Sequence, residues 1–245
     1  MEKDRFDEVS KDMIASERQK NGIGTLGEKT LHAILKNYYE PKIENQEIRM
    51  NGYVADIVNE HGIIEIQTRS FDKLRRKLDV FLELQPVTIV YPIPYIKWLK
   101  WVDNETGEVQ KPRKSTRKGT PYMIFPELYK IKSYLSHPNI NLCIVMLNLE
   151  EIKILNGWSR DKKRGAEKVD RIPTEIVEEI MVTSRSEYLK LIPDELIEPF
   201  TSKDYKEATK LSLSVAQTAL NVLYSVGAVK RVGKDGRLYL YERVR

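Results

Sequence analysis

Between Glu47 and Arg69 the chain reads as three short β-type runs separated by two turns, and two of the runs carry a carboxylate among branched apolar residues. The runs are Glu47 to Met50, Tyr53 to Val58 and Ile63 to Arg69. Asn51-Gly52 joins the first two, and an Asn-Gly pair is a strong hairpin signal because both turn positions need positive φ. Asn59-Glu60-His61-Gly62 joins the last two. Side chains alternate between faces along a strand. Val54, Asp56 and Val58 therefore share one face, and Glu65, Gln67 and Arg69 share one face of the next strand. A carboxylate in an apolar strand is costly unless it is paired or holds a metal. The pattern Asp56-x8-Glu65-x-Gln67 on neighbouring strands thus points to a divalent-cation site. The plainer alternative is that Asp56 closes a turn and Glu65 pairs with Arg49 or Arg69.

Mg2+ takes oxygen ligands in octahedral geometry and keeps several waters. Asp56 and Glu65 can offer two carboxylates, and the backbone carbonyl of Ile66 a third oxygen. A metal there lowers the pKa of bound water and neutralises charge on a phosphodiester. Gln67 can orient a water, while Arg69 and Lys73 can supply positive charge. Glu28 is a further candidate. It lies one turn before Leu31 on a helix expected from Thr25 to Tyr39, at the border of an apolar stripe. Thr25-Leu-Gly-Glu28 also fits a capping box, in which the glutamate bonds back to the cap.

The remaining elements follow from periodicity and breakers. Residues 1–20 suit a short amphipathic helix with Phe6, Val9, Met13 and Ile14 on one side, broken by Asn21-Gly-Ile-Gly24. A helix is expected from Asp72 to Leu84, with Leu74, Leu78, Phe81 and Leu82 inward. Val87 to Tyr91 reads as a strand buried on both faces. Ile96 to Val102 alternates like a hairpin arm, turning near Asp103 to Gly107. Glu127 to Leu135 reads as a helix and Leu142 to Leu147 as a strand. Cys143, the only cysteine, is expected there as a buried thiol. Gly157 to Gly165 reads as a polar loop, where Trp158 and Arg160 either contact nucleic acid or pack at a domain boundary.

From Glu195 the pattern changes. Thr201 or Ser202 can cap a helix over Lys203 to Thr209. Leu211-Ser-Leu-Ser offers a turn and a fresh cap, and Val215 to Val226 a helix stopped by Gly227. Ala228 to Val232 and Arg237 to Tyr241 then suit a two-stranded ribbon. Charge is concentrated here. Residues 200–245 hold nine Lys or Arg and four Asp or Glu, so the net charge of +5 resides entirely in this segment. A second island, Lys111, Arg113, Lys114, Arg117 and Lys118, has no acid within it. Such patches favour polyanions, usually nucleic acid, although either can be a solvated surface.

At 41% hydrophobic and 31% charged residues, the chain can bury a core, and its apolar runs are too short to span a bilayer. It shows no secretory leader pattern. One cysteine gives no disulfide framework. Together these features suggest the cytosol and no membrane partner.

The order of a helix with Glu28, three strands with Asp56 and Glu65-x-Gln67, a helix and a strand resembles the PD-(D/E)XK nuclease superfamily over residues 23–102. The resemblance implies an α/β fold of the α+β kind, with a restriction-endonuclease-like mixed β-sheet flanked by helices. It also implies Mg2+ or Mn2+ held by Glu28, Asp56, Glu65 and the Ile66 carbonyl, for phosphodiester hydrolysis. Gln67 stands where the family usually has lysine, and Ala55 where it often has proline. Residues 198–245 resemble winged helix-turn-helix domains, in which the second helix enters the major groove and the ribbon touches phosphates. By position Ser212, Ser214, Gln217, Thr218 and Asn221 would face DNA, and Lys230, Arg231, Lys234 and Arg237 would be wing cations.

The chain then divides into an N-terminal helix at 1–22, a nuclease-like domain at 23–155, a connecting segment at 156–197 and a winged helix at 198–245. The expected function is a metal-dependent endodeoxyribonuclease of restriction, repair or junction-resolving type, acting on double-stranded DNA. Resolvase-type members of the superfamily dimerise, so a homodimer is compatible with it. The competing expectation is a DNA-binding regulator or adaptor with a degenerate nuclease-like core.

Overall fold

The computed structural model describes residues 5–13, 29–103, 105–156 and 165–244. Glu28, Trp158 and Arg160 lie outside the described residues, as does most of the Gly157 to Gly165 loop. The fold is mixed α/β, with a large mixed sheet flanked by helices. Its elements are α1 (residues 5–13), α2 (Lys29–Tyr39), β1 (Gln46–Met50), β2 (Tyr53–Asn59), β3 (Gly62–Ile66), α3 (Arg75–Leu84), β4 (Val87–Asp103), β5 (Arg113–Lys114) and α4 (Phe125–Lys130). They continue with β6 (Ile140–Leu155), β7 (Ala166–Val182), α5 (Ser202–Thr209), α6 (Leu213–Ser225), β8 (Val229–Asp235) and β9 (Leu238–Arg243). The seven-stranded sheet has the order β1-β2-β3-β4-β6-β7, with β5 paired to β4; β8 and β9 form a separate ribbon. Among the described residues no helix is long and apolar enough to cross a membrane.

The chain forms two compact units, residues 1–46, 94–119 and 145–178 in one, and residues 47–93, 120–144 and 179–245 in the other. In the first, α1 buries Phe6 edge-on against Tyr38 of α2, with ring centroids 5.5 Å apart. Leu31, Ile34, Leu35 and Tyr38 of α2 are buried, as their spacing predicts. Buried Glu151 on β6 gathers Lys97 of β4 at 3.6 Å, Arg171 of β7 at 3.4 Å and Lys153 at 3.7 Å. Burial alone would raise its pKa; these cations outweigh that and hold it below the ordinary carboxylate value.

In the second unit, Asn51 (φ +45°) and Gly52 (φ +86°) make the expected turn between β1 and β2. β2 and β3 are antiparallel, with Ile57 opposite Ile64. β3 then runs parallel to the start of β4, with Glu65 beside Ile89. Between them a 3-10 turn (Phe71–Leu74) leads into α3, whose Leu78, Phe81 and Leu82 are buried, together with Leu74. Thr201 forms a capping box with Asp204 at the start of α5, and Ser212 caps α6 by accepting from the Val215 amide. Phe200 bridges to Tyr241, which extends the β8–β9 ribbon. Tyr205 of α5 is fully buried, and its hydroxyl donates to the Leu191 carbonyl at 2.7 Å.

Several elements differ from expectation. Val87 to Asp103 is one strand rather than two, although it contains Pro92 and Pro94. β3 pairs only with Val87 to Val90, and β5 only with Trp98 and Leu99. The prolines therefore occupy the gap, where no ladder donor is required on that side. The segment 156–197, read as a connection, contains β7, an edge strand of the sheet. β7 carries Pro173 and the exposed Glu167, Glu175 and Glu178, features that discourage further pairing at an edge. The helix expected over Glu127 to Leu135 is shorter: α4 ends at Lys130 and a 3-10 turn (Lys132–Tyr134) follows. β3 ends at Ile66 rather than Arg69. Cys143 is a buried thiol, as expected, and its Sγ donates to Glu179 Oε1 at 3.8 Å.

Gly62 opens β3 at φ +111°, and a Cβ there would lie 2.3 Å from the Pro86 carbonyl oxygen. That same carbonyl accepts from the Ile63 amide at 2.8 Å, so the close approach sets the β3–β4 register. Gly62→Ala is expected to destabilise the protein by about 2–4 kcal/mol. Urea unfolding measures this, with Gly52→Ala as the comparison, where a Cβ meets no neighbour within 4 Å and the cost comes from φ alone.

Candidate functional site

The β2–β3 register extends to place Asp56 directly across from Glu65. Both side chains project to the same face, as alternation requires. The Oδ2 atom of Asp56 accepts from the Ile66 amide at 2.8 Å. Glu65 Oε1 lies 3.4 Å from the Asp56 amide. Each carboxylate thus reaches the opposite strand's backbone. Glu65 is only 2% exposed.

Lys77, one residue before Leu78 on α3, closes this site. Its ammonium donates to both oxygens of Glu65, at 3.0 and 2.8 Å. Burial and then the neighbouring Asp56 charge push the Glu65 carboxyl up to about 7, against the opposing pull of Lys77. Two carboxylates and an ammonium are therefore concentrated in one place, with Glu65 buried and Asp56 and Lys77 half-buried. This is an oxygen-rich, net negative cluster that a divalent cation would suit. The described residues contain no group of three or more His, Cys, Asp or Glu placed to hold a metal. The described carboxylates of the site are thus Asp56 and Glu65, with Lys77 as their cation.

The other candidates are arranged differently. Gln67 donates its side-chain amide to the Arg69 carbonyl, where a water-orienting role had been expected. Its own backbone amide bonds the Val90 carbonyl at 2.9 Å. Ile66 is buried, and its amide serves Asp56. Arg69 and Lys73 are exposed. Lys77 was missed by sequence reasoning, yet a signal existed. It lies three residues after Leu74 and four before Phe81, so a cation occupies the apolar face of the helix.

Along α6, Ser212, Ser214 and Gln217 are exposed. Thr218 turns its hydroxyl back to the Ser214 carbonyl at 3.0 Å. Asn221 accepts from Lys132, at 2.9 Å, and the same ammonium lies 5.1 Å from the Tyr129 ring. Lys132 is therefore a second cation that sequence reasoning missed, placed on the α6 face by the turn after α4. On the ribbon, Lys230 pairs with Glu242 at 3.1 Å. The Arg231 guanidinium lies 4.3 Å from the Tyr224 ring and 3.9 Å from that of Tyr239. Lys234 is 5.1 Å from the Tyr239 ring, and Arg237 is exposed. Lys111, Arg113, Lys114, Arg117 and Lys118 are all exposed in the other unit.

The raised Glu65 pKa has a definite sign. A folded-state value near 7, against an ordinary 4.5, means that the folded protein holds this proton more tightly than the unfolded chain. Stability from this group is full below about pH 4.5 and falls as pH rises to about 7. In EDTA, Glu65→Gln is expected to flatten that slope. Lys77→Ala is expected to cost about 2–3 kcal/mol at pH 8, where Glu65 is ionised, and far less at pH 5. Thermal unfolding across this range checks both; a Lys77→Ala cost independent of pH would reject the pairing.

No solved structure matches the chain. A protein of Treponema pallidum (strain Nichols), described as an uncharacterized protein, is 28% identical over 228 residues, covering 90% of this chain and 87% of that one. The model of a family described as a domain of unknown function (DUF8091) matches residues 29–183, which include Asp56, Glu65 and Lys77. By that match, the chain belongs to the DUF8091 family.

Proposed function

We propose that the protein is a metal-dependent endonuclease that hydrolyses DNA phosphodiester bonds and is brought to DNA by its C-terminal helices and ribbon. The observation that carries this reading is the facing pair Asp56 and Glu65 with Lys77 held at 2.8–3.0 Å from Glu65. The strand order β1-β2-β3-β4, with α3 between β3 and β4, supports a restriction-endonuclease-like core. The order Phe200 bridge, α5, α6, β8, β9 supports a winged helix.

Asp56 and Glu65 would hold Mg2+ or Mn2+, which supplies charge neutralisation at the phosphate and activates water when bound. The protein residues have separate tasks. In the metal-free protein burial and the Asp56 charge keep the Glu65 carboxyl up at about 7, so a cation taken up between the two carboxylates would compete with that proton and with Lys77. Lys77 supplies the cation that Gln67 cannot. Freed from Glu65, its ammonium is placed to stabilise the negative charge that builds on phosphate oxygens during attack. The exposed face of α6, with Gln217 and Ser214, offers side chains for base edges, and Lys132, Lys234 and Arg237 offer cations for phosphates.

Plasmid cleavage with Mg2+ or Mn2+ tests the proposal. Asp56→Ala and Glu65→Ala are expected to reduce cleavage by at least 100-fold, and Lys77→Ala by a similar factor, on the order of 3 kcal/mol of transition-state stabilisation. Equal cleavage by all four proteins would reject the site.

The bond from Gln67 to the Arg69 carbonyl, which engages the residue standing where the nuclease superfamily has lysine, favours a second reading, a DNA-binding adaptor whose core has lost catalysis. Calorimetric titration with Mn2+ at pH 8 separates the two. The nuclease reading expects binding that Glu65→Ala abolishes; the adaptor reading expects DNA binding with no heat from metal in the wild type.

A further inference from the structure

The basic island lies in the unit distinct from Asp56 and Glu65, and it forms the return arm of the hairpin expected from Ile96 to Val102. Residues 109–119 fold back along the distal half of β4. Lys114 pairs opposite Trp98 and Arg113 opposite Leu99. The Ser115 amide donates to the Lys97 carbonyl at 2.8 Å, and the Gly119 amide to the Tyr95 carbonyl at 3.1 Å. The product is a ribbon with aromatic residues on one strand and cations on the other.

Each face of the β4 strand carries one cation–ring contact, with Trp98 on one face and Tyr95 on the other. The Lys114 ammonium stands 5.9 Å from the centre of the Trp98 ring, and the Lys118 ammonium 5.2 Å from that of Tyr95. Trp98 is 40% exposed, in contrast to Trp101, which is buried at 6%. Lys97 and Lys100 on the same strand are engaged by Glu151 and Glu150, at 3.6 and 2.6 Å. The five cations of the island are not: among the described residues none forms an ion pair with a carboxylate. A protein surface that neutralises the lysines of one strand and leaves those of the other uncompensated has kept charge for a polyanion.

We propose that this ribbon binds single-stranded nucleic acid, with the exposed Trp98 stacking on an unpaired base while Lys114, on the same face, and the neighbouring cations of the island hold the flanking phosphates. Phosphate contact alone needs cations and no exposed indole. Base faces are reachable only where a strand is unpaired, and stacking on aromatic side chains is the sequence-tolerant means of holding it. A duplex would meet the cations and leave Trp98 unused. The proposal rests on the nucleic-acid part of the preceding reading and not on the carboxylate site. It deepens that reading by giving the substrate an unpaired segment.

The test uses the full chain carrying Asp56→Ala, in EDTA, so that cleavage plays no part. Fluorescence anisotropy follows labelled oligo-dT, oligo-rU and a duplex of equal length. Trp98→Ala is expected to weaken oligo-dT binding about tenfold, the range reported for loss of one stacked base, and duplex binding less than twofold. Trp98→Phe should retain most of the affinity. Lys114→Ala should lower the slope of log affinity against log salt by about 0.7 for the single strand. The ratio of oligo-dT to oligo-rU affinity identifies the sugar preferred. Unchanged oligo-dT binding in Trp98→Ala overturns the proposal. So does an equal loss for single strand and duplex, or binding to phosphatidylserine vesicles with none to oligo-dT. Selective oligo-dT binding without plasmid cleavage by the wild type would sink the nuclease and leave the ribbon. Cleavage with no oligo-dT binding would do the reverse.

Discussion

Two carboxylates at facing positions of adjacent strands repel one another, and each is accommodated by reaching across to the backbone of the opposite strand. Asp56 accepts from the Ile66 amide, and Glu65 turns toward the amide of Asp56. The charge that remains obliges a cation to approach, which places Lys77 and therefore the first turn of α3 over β3. The entry to α3 is fixed in turn by Glu127 of α4, which accepts from the Phe71 amide at 2.7 Å and pairs with Lys130 at 2.8 Å. α4 packs against α6, and α6 against α5 and β8. One electrostatic conflict between neighbouring strands thus positions, through successive contacts, much of the unit that contains it.

The parts of this arrangement that were legible in the sequence are those fixed by local chemistry. Asn51-Gly52 demanded positive φ at both positions, and the turn formed there. The caps of α5 and α6 were readable to within a choice of neighbours, Thr201 or Ser202 for one and the Leu211-Ser-Leu-Ser stretch for the other, because few residue types accept from helix-start amides; Thr201 and Ser212 are the ones that cap. The apolar spacing of α2 and α3 marked their buried faces. The juxtaposition of Asp56 with Glu65 followed from strand alternation and a short turn.

What escaped was long-range. Lys77 is twelve residues from Glu65 in sequence, and nothing in the spacing of one predicts the other. β7 alternates poorly because it is an edge strand with charged residues outward and a proline within, which read as a connection. β4 was read as two pieces, Val87 to Tyr91 and Ile96 to Val102, because its pattern changes where Pro92 and Pro94 fall, in the gap between pairing with β3 and pairing with β5. Gln67 was read by family position, whereas the geometry of the turn after Ile66 gives its amide a nearer acceptor at Arg69.

The clamp on Arg231 has a mechanical consequence. Tyr224 ends α6 and Tyr239 belongs to β9, so one guanidinium joins helix and ribbon through the faces of both rings. The two elements then cannot hinge independently without drawing the guanidinium away from one of the two rings. The angle between helix and ribbon is thus tied to a single side chain that belongs to neither ring, and a change at position 231 alone would uncouple them.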